Sequence, residues 1–414
     1  MLYISAFAVM YLWITRLDVT MWLEYVWNEQ TIMVWEALQP IDPSSFIQGG
    51  KYNKAQIGSH LISWDGALDW ESFDIGIVAV KEDRTSVYNP GCGHGSHDIR
   101  KQFYSLYAHY KCPRILDVGD IEAGHTVMDT YSILSELSAE FVRHGKVLLI
   151  LGGSHDLTIG QYKGHADAGH RAHLIQVDEH IDMRDAEDVD STSFLRHMLK
   201  NNEGFVEDFT HFGHQQFYND PAFVQHLESL DADHMRMGDF RANLNDAEAF
   251  FRNAHVLSFD VSAMMSAYAP GNILTSPNGL SGTEACQVFR YAGFSPYMNS
   301  VGIYEYNPHL DQNHLTSKQI SQMLWYFLEG YSIRRDETPA LNDARFVQYQ
   351  VVMPSLDQEL VFWKSRVTER WWMEFAGDNE KSVFVACQDK DYALALENEL
   401  SDRWMRAFRR SDLG

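Results

Sequence analysis

The chain has only 4 cysteines among its 414 residues. They are scattered and form no Cys-x-x-Cys pair, which argues against a disulfide framework and a structural zinc site and favours a reducing, cytoplasmic compartment. Positive charge is also scarce, since the formal net charge is −24. Nucleic acids and anionic membranes bind proteins through clustered positive charge, so neither is expected as a partner.

No apolar run is long enough to cross a membrane. Residues 1–15 are strongly apolar, but a bilayer span needs about 20 residues. The segment also lacks the basic residues and the small-residue cleavage pattern of a secretory signal. We expect a docked or frayed helix, or residues ahead of a natural start near Met21. A signal, an anchor or a hydrophobic contact with another subunit stay as alternatives.

Strand and helix patterns alternate along the chain. Short apolar runs typical of strands occupy residues 73–80, 114–118, 147–153, 172–177, 254–259 and 300–304, and helical periodicity occupies residues 99–109, 127–144, 284–292 and 317–332. This alternation predicts an α/β protein with a mainly parallel sheet covered by helices on both faces. With 45% apolar and 22% charged residues, the chain is suited to one large domain with extensions.

Four of the apolar runs lead to acidic or imidazole side chains. In chain order these are His155, then Asp178, His180 and Asp182, then Asp260, and finally Glu305. Because ligands sit beyond the carboxyl ends of parallel strands, we expect these side chains to converge there. Buried carboxylates repel one another unless a cation neutralises them, so a divalent metal site with two ions is expected. Ligands without thiolate favour Mn²⁺, although Fe, Co, Ni and catalytic zinc stay open.

The same segments resemble the signature blocks of the arginase, agmatinase and formimidoylglutamase family, the ureohydrolases. The matching blocks are Gly152-Gly153-Ser154-His155, Asp178-x-His180-x-Asp182, Ser258-Phe259-Asp260-Val261 and Glu305-x-Asn307-Pro308, with a similar loop at residues 267–281. The resemblance covers about residues 50–335. It implies a three-layer α/β/α sandwich of the kind shared by arginases and deacetylases.

The resemblance also implies a role for each matching residue. His155 and Asp182 would hold one Mn²⁺ and His180 a second, with Asp178 and Asp260 bridging or lying between the two. Water activated by the metal pair would attack the trigonal carbon of a guanidinium or formimino group, while Glu305 orients the cationic nitrogen of the substrate.

The implied activity is therefore hydrolysis of a linear carbon–nitrogen bond in an amidine or guanidino compound. The substrate would be a small cationic guanidino or formimino molecule. Formimidoylglutamate is favoured over arginine and agmatine, because the C-terminal tail and the altered ligand set make a match to the arginases less convincing.

Three departures from the family pattern put catalysis in doubt. Ser262 stands where the family has a second aspartate, which predicts a loosely held or absent second metal, because a neutral hydroxyl is a weak ligand. Asp156 follows His155 instead of preceding it, and restores a charge only if it faces the metals. Asp190 occupies the place of a proton-shuttling histidine, for which His197 is a candidate substitute. Turnover could thus be slow, altered or missing.

Two alternative functions stay open. One is a non-catalytic or single-metal relative that acts as a binding or scaffold protein. The other is a single-zinc deacetylase, whose ligand set Asp178, His180 and Asp260 also resemble. It ranks lower because Gly152-Gly153-x-His155 and Glu305-x-Asn307-Pro308 belong to the ureohydrolase pattern. Two bound ions would favour the hydrolase, one ion the alternatives, and none a scaffold.

The resemblance leaves an extension at each end of the domain at residues 50–335. Residues 1–49 form the N-terminal extension, and residues 336–414 form a C-terminal extension rich in tryptophan. Exposed tryptophans are unfavourable, so we expect this tail to pack on the main domain or on a neighbouring subunit. Because family members usually form trimers or hexamers, a homo-oligomer is expected.

Overall fold

The structure is a computed structural model that describes residues 34–47, 51–62, 64, 68–200, 206–354, 358–376 and 382–412. The apolar segment at residues 1–15 and most of the expected N-terminal extension lie outside these residues. Within the described ranges, no helix is both long and apolar enough to span a bilayer.

A central sheet of ten strands runs through the described part of the chain. The strands are β1 (Leu38–Gln39), β2 (Leu61–Ile62), β3 (Ile75–Lys81), β4 (Ile115–Glu122), β5 (Val147–Leu151), β6 (Ala172–Val177), β7 (Val206–His214), β8 (Asp233–Arg236), β9 (Val256–Asp260) and β10 (Ser300–Tyr304). Their order is β1-β4-β3-β5-β10-β9-β6-β7-β8, with β2 beside β4. All pairs are parallel except β1 with β4, which confirms the predicted sheet.

Helices cover both faces of this sheet. They are α1 (Ser96–Tyr104), α2 (Val127–Arg143), α3 (Thr158–Asp167), α4 (Phe194–Lys200), α5 (Pro221–Ser229), α6 (Met237–Ala242), α7 (Glu248–Phe251), α8 (Gly282–Phe294) and α9 (Leu315–Ser332). Alternate strand residues point to opposite faces. Leu149 of β5 therefore packs in one core with α1, α8 and α9, whereas Leu148 packs in another with α2. The three-layer α/β/α sandwich is confirmed.

One helix ends earlier than its periodicity predicts. The pattern over residues 99–109 continues past Tyr104, but α1 ends there. The following residues pair with another segment instead, since the N–H of Ile57 donates to the carbonyl of Leu106 and the N–H of Ala108 donates to the carbonyl of Ala55. Tertiary backbone hydrogen bonds thus replace the last helical turn.

The C-terminal segment forms its own small sheet. It contains the antiparallel strands β11 (Phe346–Met353), β12 (Gln358–Ser365), β13 (Trp371–Ala376) and β14 (Ser382–Cys387), followed by α10 (Asp389–Leu396) and α11 (Asp402–Asp412). Trp371, Trp372 and Trp404 are buried. Arg252, next to α7, donates a hydrogen bond to the carbonyl of Trp371 at 2.7 Å, so this sheet packs on the main domain.

Candidate metal centre

Four neighbouring strands carry the candidate site at their carboxyl ends. Asp260 is the last residue of β9, Asp178 follows β6, and Glu305 follows β10. His155 follows β5 after a turn through Gly153, whose φ is 91°. A Cβ at Gly153 would lie 2.6 Å from a backbone oxygen of the loop after β3, so only glycine fits this turn. The order β5-β10-β9-β6 therefore brings the four side chains together.

His155 lies at the centre of three carboxylates. Its Nδ1 atom is 3.1 Å from Asp178 Oδ2, 3.1 Å from Asp182 Oδ2 and 3.3 Å from Asp260 Oδ2. All four residues are buried. Among the described residues, the ligand atoms of His155, Asp178 and Asp260 all lie within 4.8 Å of one another. Four of the five predicted ligands therefore share one small space.

The pKa values in this cluster show strong mutual interaction. Burial lowers the pKa of His155, but hydrogen bonds to the three aspartates outweigh burial and raise it well above its usual range. Burial and the charge of Asp178 raise the pKa values of Asp182 and Asp260. Burial opposes ionisation of Asp178, yet its hydrogen bond from His155 lowers its pKa. One imidazole cannot neutralise three carboxylates, so this set of nitrogen and oxygen donors fits a divalent cation.

Ser262 and His180 lie on the other side of Asp178. The Ser262 hydroxyl donates to Asp178 Oδ1 at 3.1 Å, and the backbone N–H of His180 donates to the same oxygen at 2.9 Å. The His180 ring stacks on Tyr218 with a centroid separation of 5.5 Å. His180 therefore borders the site without belonging to the tight cluster around His155.

Glu305 is held in a fixed position beside the cluster. Its Oε2 atom accepts hydrogen bonds from Ser86 Oγ at 2.8 Å and Asn89 Nδ2 at 2.9 Å, and Oε1 accepts from the backbone N–H of His155 at 3.0 Å. Burial, followed by the charge of Asp260, raises the pKa of Glu305 to about 7. Three donors occupy most of the about four acceptor positions of a carboxylate, which leaves room for one more donor.

Several of these residues line a cavity of about 260 Å³. Asp178, His180, Asp182, Asp260 and Glu305 form its floor, and the remaining wall consists of Ser86, Tyr88, Asn89, Met183, Arg184, Ser191, Thr192, Tyr218, Asn219, Phe223 and Leu274. Arg184 is the one arginine or lysine among these described lining residues. The cavity thus combines an acidic floor with a single cationic side chain on its wall.

The structure does not bring Asp190 or His197 into the cavity. Asp190 Oδ1 accepts from the backbone N–H of Thr192 at 2.8 Å, and Oδ2 pairs with Arg184 at 2.7 Å. His197 Nε2 is 3.2 Å from the carbonyl oxygen of Ala186. Both side chains are engaged in local contacts, and neither lines the cavity floor.

Asp156 does not restore the charge missing at Ser262. It is fully buried and accepts hydrogen bonds from three hydroxyl groups, those of Thr85, Tyr131 and Ser154. The residue that follows a ligand in the turn thus points away from the cluster. It serves to anchor the turn that carries His155.

Sequence reasoning missed several residues of the site. Ser86 and Asn89 hold Glu305. Asn89 begins the glycine-rich loop at residues 89–97, which could have drawn attention to it. Arg184 follows Asp182 by two positions. The motif Asp178-x-His180-x-Asp182 has a site residue at every second position, and one more step of this spacing reaches Arg184. Glu179 is fully buried next to Asp178, but no sequence signal distinguishes it from an ordinary acidic residue of a loop.

Known proteins resemble this chain in both sequence and fold. The sequence model of the arginase family matches residues 73–329. The formimidoylglutamase of Staphylococcus carnosus (strain TM300) is 27% identical over 251 residues, which cover 58% of this chain and 79% of that protein. The formimidoylglutamase of Bacillus subtilis (strain 168) is 24% identical over 291 residues, which cover 64% of this chain and 90% of that protein.

Solved structures show the same architecture. The crystal structure of formimidoylglutamase from Bacillus subtilis superposes with a TM-score of 0.62 at 19% identity, and the match covers 70% of this chain and 97% of that one. Trypanosoma cruzi formiminoglutamase with Mn²⁺ gives a TM-score of 0.59 at 21% identity, covering 65% and 97%. Since the family match spans well over half of the sequence, the chain belongs to the arginase family.

Proposed function

We propose that the chain is a metal-dependent hydrolase that cleaves a linear carbon–nitrogen bond in an amidine, with N-formimidoylglutamate as the favoured substrate. The observation that carries this proposal is the buried cluster of one imidazole and three carboxylates, in which the three carboxylates line a cavity. The formimidoylglutamase relatives support the same substrate class.

His155, Asp178, Asp182 and Asp260 are the proposed ligands of one Mn²⁺, and His180 with the two shared aspartates Asp178 and Asp260 is proposed to hold a second. Such ions would polarise the substrate and lower the pKa of bound water. The solved structure of Trypanosoma cruzi formiminoglutamase was determined with Mn²⁺, which supports manganese here.

Glu305 is proposed to bind the cationic end of the substrate. Its carboxylate is fixed by Ser86, Asn89 and the backbone of His155, so it is oriented before the substrate arrives. An amidinium N–H donated to this carboxylate would form a charge-assisted hydrogen bond. Glu305 would thereby hold the trigonal carbon of the substrate next to the metal centre.

Arg184 supports an acidic substrate over a purely cationic one. Arg184 lines the cavity wall, its side chain is half exposed, and its Nη2 donates to Asp190 Oδ2 at 2.7 Å. A planar guanidinium binds carboxylates well because it presents five N–H donors in a fixed fork. N-formimidoylglutamate carries two carboxylates that could accept hydrogen bonds from Arg184, whereas agmatine carries none. The cavity therefore favours the formimino amino acid.

The test is a substrate comparison with Mn²⁺-loaded protein. We expect formamide release from N-formimidoyl-L-glutamate to exceed urea release from agmatine and arginine. Loss of a hydrogen bond to a charged group costs about 1.5–3 kcal/mol, so Arg184→Gln should lower kcat/KM by about 10- to 100-fold. Arg196→Gln is the matched control, because Arg196 pairs with Asp185 at 3.2 Å and does not line the cavity. Absence of turnover, or a preference for agmatine, would refute the proposal.

We further propose that residues 50–335 form the catalytic domain, with residues 1–49 and 336–414 as extensions, and that the protein is a cytoplasmic homo-oligomer. All four cysteines are free, which supports a reducing compartment. Light scattering of the purified protein tests the assembly, since a mass near the 47.6 kDa of one chain would contradict it.

A further inference from the structure

Glu179 is a buried carboxylate that the proposed mechanism leaves without a role. Its side chain is 0% exposed. Oε2 accepts a hydrogen bond from Gln215 Nε2 at 2.8 Å, but Oε1 has no hydrogen-bond partner among the residues that the structure describes. A buried polar atom without a partner costs about 1–3 kcal/mol, and in native proteins such an atom calls for an explanation. A cation that binds Oε1 would supply one.

The unpartnered oxygen faces a potential metal ligand. Glu179 Oε1 lies 3.9 Å from His180 Nδ1. Two ligands that each lie about 2.0–2.2 Å from a first-row divalent ion are separated by at most about 4.4 Å. The imidazole nitrogen and the carboxylate oxygen are therefore close enough to bind the same ion.

The charge distribution around Asp178 leaves a deficit on the His180 side. Asp178 Oδ2 faces His155, where Asp182 and Asp260 add two further carboxylates. Asp178 Oδ1 faces the Ser262 hydroxyl at 3.1 Å, which carries no charge. A hard divalent ion prefers anionic oxygen ligands. Glu179 is the adjacent carboxylate that can supply this charge.

We propose that Glu179 is a ligand of the second divalent ion, together with His180, and replaces the carboxylate that position 262 lacks. This inference rests on the proposed function for the existence of a two-metal centre. It assigns the chain a rearranged ligand set in which the negative charge comes from the segment after β6 instead of the segment after β9.

The test measures metal binding and does not depend on turnover. Each protein is stripped with chelator, loaded with Mn²⁺ and assayed by elemental analysis and calorimetric titration. We expect two ions per chain for the unmodified protein. Glu179→Gln should retain one ion and weaken the second at least about tenfold, since even residues behind the ligands change metal affinity by that factor. Glu179→Asp, which keeps the charge, should weaken it less.

Moving the carboxylate from position 179 to position 262 provides a rescue experiment. Ser262 Oγ already lies beside Asp178, so Ser262→Asp placed in the Glu179→Gln protein should restore the second ion. The control is Glu337→Gln, which changes another buried glutamate, one bonded to Ser365 and Thr368 in the C-terminal sheet. It should leave both ions in place. Circular dichroism spectra verify that each variant is folded.

The outcomes separate this inference from the proposed function. Two ions bound with unchanged affinity in Glu179→Gln, or a single ion in the unmodified protein, would overturn the role of Glu179. If the unmodified protein binds two ions and Glu179→Gln shows the expected loss, but no substrate is hydrolysed, the role of Glu179 stands and the proposed function fails.

Discussion

Removing the metal should destabilise the fold, because the acidic cluster would lose the cation that neutralises it. Asp178, Asp182 and Asp260 crowd around His155, so even a protonated imidazole leaves excess negative charge. A ligand at 100 times its dissociation constant stabilises a protein by about 2.7 kcal/mol. At about 2 °C per kcal/mol for a large chain, one Mn²⁺ should raise Tm by about 5 °C over chelator-treated protein.

Asp260→Asn should have opposite effects in the two conditions. Without Mn²⁺, removing one of the mutually repelling carboxylates should leave Tm unchanged or higher. With Mn²⁺, the variant should lose most of the increase, because a shared ligand is gone. Differential scanning calorimetry with chelator and with Mn²⁺ measures both effects.

Asp156→Asn is the matched control for this experiment. Asp156 is equally buried and adjacent to His155, but it is bonded to the hydroxyls of Thr85, Tyr131 and Ser154. Its replacement should cost about 1–3 kcal/mol with or without metal. If Mn²⁺ leaves the Tm of the unmodified protein unchanged, or if Asp260→Asn is equally destabilising in both conditions, the charge argument is wrong.

Three further predictions concern other parts of the molecule. Glu305→Gln should lower kcat/KM about 10- to 100-fold through loss of a charge-assisted hydrogen bond, while elemental analysis finds the Mn²⁺ content unchanged. His165 is buried, and neither of its ring nitrogens has a partner in the described part of the chain. Burial lowers its pKa to about 3, below the about 6.5 of an unfolded chain. The unfolded state therefore takes up a proton first, so the free energy of unfolding falls as pH drops from about 6.5 towards 3. In urea unfolding experiments, His165→Leu should reduce the slope of this free energy against pH by up to about 1.4 kcal/mol per pH unit. An unchanged slope would contradict the lowered pKa of His165. Arg252→Met should destabilise the docked C-terminal sheet, since Arg252 donates to the Trp371 carbonyl and pairs with Glu248. The loss should be smaller than the about 3–5 kcal/mol of a buried charge left without a partner, because Glu248 still pairs with Arg370. Urea titration measures the loss.

The convergence of the central ligands was predictable because it follows from the strands. His155, Asp178, Asp260 and Glu305 each follow or end a short apolar run, and parallel strands place such positions at one edge of the sheet. The parallel arrangement of β5, β10, β9 and β6 places these side chains next to one another. The fold class was predictable for the same reason, since alternating strand and helix patterns specify a layered parallel sheet.

The remaining details depend on loop geometry, which the pattern does not encode. Asp182 and Glu305 adopt φ values of 54° and 63°, which non-glycine residues rarely take and which tertiary contacts impose. The loop that carries Asp190 folds back on itself, so this carboxylate binds Thr192 instead of facing the cavity. Asp156 is turned away by the hydroxyls of Thr85 and Tyr131, which come from other segments, and by that of Ser154 in its own turn. The direction of these side chains is decided by the hydrogen-bond partners that each loop meets, both local and distant.

A crystal structure of the protein soaked with Mn²⁺, with anomalous scattering recorded at the manganese edge, tests the central claim most directly. We predict an anomalous peak within bonding distance of His155 Nδ1 and of the carboxylate oxygens of Asp178, Asp182 and Asp260. A map with no peak in this cluster, or with peaks only elsewhere on the molecule, would contradict the proposed metal centre.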